Sequence, residues 1–201
     1  MIFFSIYNKF KLKKWSTLTP GKRQRILEKV EKKQARRQHR EPLAVIMKTD
    51  PNWKSLGMFE SGPQGKRLYL NVKLITDVYL RFHALETIFH EGRHAYQNHV
   101  ITNRKILGPR ARKWRRNYRG YITSGEDMTI YSFQPIERDA QRYAIKKLAR
   151  LGWRYKNEPD YDATMDQMIY RYENTLVEAR RQHGVFYRYK INKRIKEKSR
   201  H

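Results

Sequence analysis

His90-Glu91-Gly92-Arg93-His94 sets two imidazoles four residues apart, with a carboxylate beside the first. On an α-helix, positions four apart share a face and lie about one turn apart, so both rings can reach a single zinc ion. Glu91 stands next to them, placed to take a proton from water. A helix is the element that must carry this group. Val78, Phe82, Leu85, Ile88, Phe89, Gly92, Ala95 and Tyr96 recur at helical spacing and predict one helix over residues 76–100.

A catalytic zinc site wants three protein ligands and one open position. The chain has no cysteine, so any zinc must be held by histidine and carboxylate. Glu137 is the expected third ligand. Pro135 fits the first turn of a second helix, predicted over residues 132–151, with Ser132 or Gln134 just ahead of it. Glu137 then projects from that first turn, and Ala140, Ala144 and Leu148 continue its side of the helix. Amide hydrolysis also needs a donor for the oxyanion. Tyr131, Tyr143 and His99 are the candidates. Asp139 and Glu86 can orient ligand histidines, and an ordinary helix-surface salt bridge stays open for both. His83, one helical repeat before His90, reads as cleft lining or as a plain surface histidine.

His90-Glu91-x-x-His94 followed by Glu137-x-x-Ala140-x-x-Tyr143-Ala144 resembles the gluzincin-type metallopeptidases of the ImmA/IrrE kind. Members of that family occur in mobile elements and phage-related loci, where several cleave repressors. The run from His90 to Gln97 also resembles the metallopeptidase modules of bacterial polymorphic toxins. The resemblance covers roughly residues 42–152. The gap between its two motifs is longer than in the simplest thermolysin-like enzymes. It implies that His90, His94 and Glu137 hold zinc and that Glu91 is the general base of a hydrolase acting on protein. The fold it implies is α+β and zincin-like: a small, mostly antiparallel sheet packed on the H-E-x-x-H helix, with a helix-rich C-terminal half.

The net charge of +26 is unevenly placed. Residues 1–40 carry 13 Lys/Arg against 2 acids, residues 101–120 carry 8 against none, and residues 180–201 carry 9 against 1. The remainder is nearly neutral, so the charge sits on segments flanking or interrupting the expected catalytic body. Such segments suit a polyanion, with nucleic acid the expected partner beside a protein or peptide substrate. Arg110, Arg112, Lys113, Trp114, Arg115, Arg116 and Arg119 interleave cations with an aromatic, a pattern that can grip phosphates while stacking bases. A solvated basic face, or a surface that docks an acidic protein, is the plainer reading of the same residues.

The expected organisation is a basic N-terminal segment (1–41), a zincin-like domain (42–184) with an irregular basic insertion (101–133), and a basic, partly disordered tail (185–201). Within the first segment Thr19 and Pro20 start a helix whose grip is Ile26, Leu27 and Val30, leaving its far end exposed. Residues 43–47, 53–59 and 68–75 read as strands, with Gly62-Pro63-Gln64-Gly65 as a turn. A further helix is expected over residues 160–183. The apolar start, residues 1–7, precedes its cations and is short, the reverse of a secretory signal, and no window is long enough to span a membrane. A cytoplasmic location is expected. Three functions follow: a zinc metallopeptidase acting near nucleic acid, a toxin-type metallopeptidase, and a nucleic-acid-binding or structural protein with a non-catalytic zincin-like core.

Overall fold

A computed structural model describes residues 6–200 of the chain. The apolar start, residues 1–7, therefore falls mostly outside the described residues; Tyr7–Phe10 form a 3-10 turn. The fold is α+β, and its packing divides it into two compact units. One is Met1–Tyr96 with Tyr143–Asp166, the other Gln97–Arg142 with Gln167–His201. No helix among the described residues is long and apolar enough to cross a membrane.

The first unit begins with α1 (Leu12–Trp15) and α2 (Pro20–Arg37), followed by β1 (Ala44–Lys48), β2 (Gly57–Gly62), β3 (Gly65–Asn71) and α3 (Lys73–Thr76). The sheet order is β1-β3-β2. The Gly62–Gly65 turn closes an antiparallel β2–β3 hairpin, while β1 adds to the other edge of β3 in parallel, Val45 opposite Leu68. The sheet is thus mixed, not mostly antiparallel. β1 ends beside Asn71 and β2 starts opposite Leu70, at the same end of the sheet, so residues 49–56 cross the end of β3 and β2 runs back antiparallel, leaving β1 in the direction of β3. Leu68 and Leu70 alternate into the core as strand periodicity requires. Asn71 ends the strand earlier than expected: its amide donates to the Trp53 and Ser55 carbonyls, and its Oδ1 accepts from the Lys73 N–H.

The expected helix over residues 76–100 is broken at its start. Asp77 accepts from the Tyr79 N–H and caps a 3-10 turn, Val78–Leu80, and α4 runs from Arg81 to Thr102. Arg81 explains the late start. It is fully buried and binds the Phe10 carbonyl at 2.7 Å, Glu158 at 3.0 Å and both oxygens of Asp160. Buried charge is tolerated only with such partners.

Thr19 and Pro20 do start α2, with Thr19 Oγ1 accepting from the Lys22 N–H. Its far end is buried, contrary to the apolar count. Gln34 donates to the Phe89 carbonyl. Glu31 pairs through both oxygens with Arg40, which also donates to the Gly92 carbonyl at 3.1 Å. Polar side chains, not apolar ones, fasten this end of α2 to the helix that carries the histidines.

The second unit corrects two expectations. Residues 101–133 are not irregular but contain α5 (Pro109–Arg119) and α6 (Met128–Phe133). The tail forms α9 (Tyr187–Lys198), after α7 (Pro135–Ala149) and α8 (Tyr161–His183). Tyr187, Ile191 and Ile195 recur every four residues along α9 and join Ile122, Ile130 and Ala179 in an apolar core. That stripe supplies the burial an isolated basic helix lacks.

Candidate metal centre

His90 and His94 sit one turn apart on α4, their Nε2 atoms 3.0 Å apart and their rings edge to face. One donor atom each from His90, His94 and Glu137 lies within 4.8 Å of the others. Two nitrogens on a tetrahedral zinc, each at about 2.0–2.1 Å, stand about 3.3 Å apart. The imidazole pair is close to that spacing already. Two half-buried imidazoles with a carboxylate only 5% exposed form a donor set suited to zinc.

Neighbours of these residues tie α4 to α7. Arg93 lies over the Tyr143 ring, and Gln97 donates to the Ile136 carbonyl and the Asp139 carboxylate, each at 3.0 Å. The start of α7 is held in turn by α5. Asn117 Oδ1 accepts from the Ile136 N–H, and its amide donates to the fully buried Gln134, which also clasps both the N–H and the carbonyl of Ile122. The expected basic loop is therefore the frame that orients Glu137.

Tyr121 is the residue that sequence spacing missed. Its hydroxyl donates to Glu137 Oε1 at 2.6 Å. Burial, and then the Glu137 charge, push its pKa up, so it stays a donor throughout the physiological range. Tyr131 lies edge-on to the Tyr121 ring and supports it. Nothing in the local pattern around Gly120-Tyr121 marks this tyrosine, because it lies in a connection and its partner is 16 residues away on α7. Removing that one hydroxyl in Tyr121→Phe should leave the fold intact and weaken zinc binding about 10- to 100-fold. Chelator competition measures this, and unchanged affinity would remove Tyr121 from the centre.

Glu91 is 8% exposed and lies against the first residue of β2. A Cβ added to Gly57 would stand 2.9 Å from Glu91 Cγ and 3.2 Å from Oε1. Only glycine allows the strand this close to the carboxylate.

The remaining candidates divide. Asp139 holds Gln97, and Glu86 lies 3.7 Å from His83 Nδ1. Tyr143 is flanked by Arg93 and Lys147, one on each of two cation–ring contacts. Its pKa is raised by burial, with Arg93 opposing. His99 is nine positions from His90, about half a turn out of phase, on the opposite face of α4. Trp114 is 3% exposed, so it packs in the core and does not stack a base. Arg115 donates to the carbonyls of Val100, Ile101, Asn103 and Ile106, closing the C-terminal end of α4. Arg110, Arg112, Lys113, Arg116 and Arg119 remain at the surface. No protein-family model, no curated protein and no solved structure matches the chain.

Proposed function

We propose that the chain is a zinc-dependent metallopeptidase that hydrolyses a protein substrate. The observation that carries this reading is the convergence of the His90, His94 and Glu137 donors, with Glu91 buried one position from the first of them. Zinc bound there would supply a Lewis acid that lowers the pKa of water towards about 7 and polarises a carbonyl. Glu91 takes the proton of the attacking water and returns it to the leaving amine nitrogen. Tyr121 holds Glu137 in one orientation through its 2.6 Å hydrogen bond. β2 is an edge strand of the sheet and begins at Gly57, beside Glu91. An extended peptide added to such an edge would run past the general base.

Protein purified without chelator should contain one zinc per chain by elemental analysis. His90→Ala should lose it, because two remaining donors hold the ion far more weakly than three. Wild-type protein free of transition metal, or His90→Ala with full zinc, would overturn the reading.

A further inference from the structure

α5 and α9 wall a groove of about 680 Å³ that lies within the second unit and uses none of the metal-centre residues. The two helices approach closely because α5 ends on Gly120, where a Cβ would strike the Ile195 backbone of α9. The stripe of Tyr187, Ile191 and Ile195 turns one face of α9 into the core. Arg194 pairs with Asp127 at 2.8 Å and Lys198 with Glu126 at 2.6 Å, which fastens a second face. The Lys198 ammonium, helped by the Thr123 N–H, holds the Glu126 carboxyl at about 2, so this tie is charged at physiological pH. Towards the groove α9 presents Tyr189, Asn192, Lys193, Lys196 and Glu197, with Arg200 just past its end.

The facing wall repeats the pattern. Arg112 and Lys113 line it one turn before Arg116 along α5. The steps from Arg112 to Arg116, from Lys193 to Lys196 and from Lys196 to Arg200 are three or four residues, a helical rise of about 4.5–6 Å. Glu197 is the one acid lining the groove, 3.9 Å from Lys193. Among the described residues, Arg112, Lys113, Arg116, Lys196 and Arg200 form no ion pair. A second groove of about 400 Å³ shares Lys113, Pro135 and Asn192 with the first and continues past Arg110, Arg142 and Arg188. Like charges this dense repel one another unless an anion lies among them. Tyr189 stands among them 68% exposed, with its ring face available.

We propose that the α5–α9 groove binds single-stranded nucleic acid, its cations taking the phosphates and Tyr189 stacking on a base. The repeat of cations along two walls matches a backbone with charge at every unit, and an exposed aromatic between cations fits a π-faced ligand. An acidic peptide needs no such aromatic. A groove of about 680 Å³ can take in a short stretch of one strand.

Fluorescence anisotropy on the full chain tests this with a labelled 12-nucleotide oligothymidine, its abasic counterpart, a duplex and polyglutamate, at several salt concentrations. The single strand should bind more tightly than polyglutamate. Joint replacement of Arg112, Arg116, Lys193 and Lys196 by alanine should weaken binding at least 10-fold at low salt. It should also flatten the slope of log affinity against log salt by about 0.7 for each phosphate that is no longer neutralised. These four side chains lie at the surface, so circular dichroism and zinc content should stay at wild-type values. Tyr189→Ala should weaken oligothymidine binding about 5- to 100-fold and leave the abasic strand unaffected. An unchanged salt slope in the fourfold variant would overturn the assignment. So would preference for the duplex or polyglutamate, or equal weakening on the abasic strand in Tyr189→Ala. Zinc content reads the metal centre separately, so failure of either proposal leaves the other standing.

Discussion

Glu91→Gln is expected to lower peptide hydrolysis by about 10²- to 10⁴-fold while zinc stays at one per chain. Glutamine has the volume of glutamate, so the packing against Gly57 survives. What disappears is a base able to accept a proton beside His90. Glu91 is not among the three converging donors, so its replacement should leave metal affinity nearly unchanged. Turnover on a quenched-fluorescence peptide library, run beside elemental analysis, separates the two effects. Wild-type turnover in the variant would end the general-base assignment, and absence of zinc would move Glu91 into the ligand set.

Glu31→Gln should destabilise the protein by about 3–5 kcal/mol, the usual cost of stranding one partner of a buried pair. The Arg40 side chain is 3% exposed and the Glu31 side chain fully buried, so water cannot replace the missing carboxylate. Glu31 also accepts from the Leu43 N–H, and Arg40 donates to the Gly92 carbonyl within the histidine motif. The damage therefore reaches from α2 to the helix that carries the metal donors. Urea unfolding at pH 7 measures it. Replacing both partners, Glu31→Leu with Arg40→Met, should recover most of the stability, because no unpaired charge then stays buried. A single variant within about 0.5 kcal/mol of wild type would show that Arg40 finds other partners.

The legible parts of this protein are those whose signal is local. Thr19-Pro20 and Pro135 mark helix starts through capping and a fixed φ, and both helices begin there. Gly62 and Gly65 mark the hairpin turn. Charge hides the less legible helices. Tyr187, Ile191 and Ile195 already carry a four-residue period, but the cations around them read as a solvated tail. Ala111, Trp114 and Asn117 likewise recur every third residue along α5 and face inward. Trp114 reads as a base-stacking residue only while its burial is unknown.

The sequence by itself determined the chemistry on offer: two imidazoles and a carboxylate on one helix, a second carboxylate in the first turn of another, and cations in three dense runs. Those follow from residue type and helical period, which need no knowledge of distant neighbours. Tertiary structure alone decided which of these groups meet. It joined Tyr121 to Glu137, set Gly57 against Glu91, buried Glu31 with Arg40, and turned Arg115 to the end of α4 while leaving Arg112 and Arg116 facing α9. Each of these depends on packing between residues far apart in the chain. A hydroxyl or guanidinium carries no local mark of its partner, because its hydrogen bonds are chosen by the packing that surrounds it.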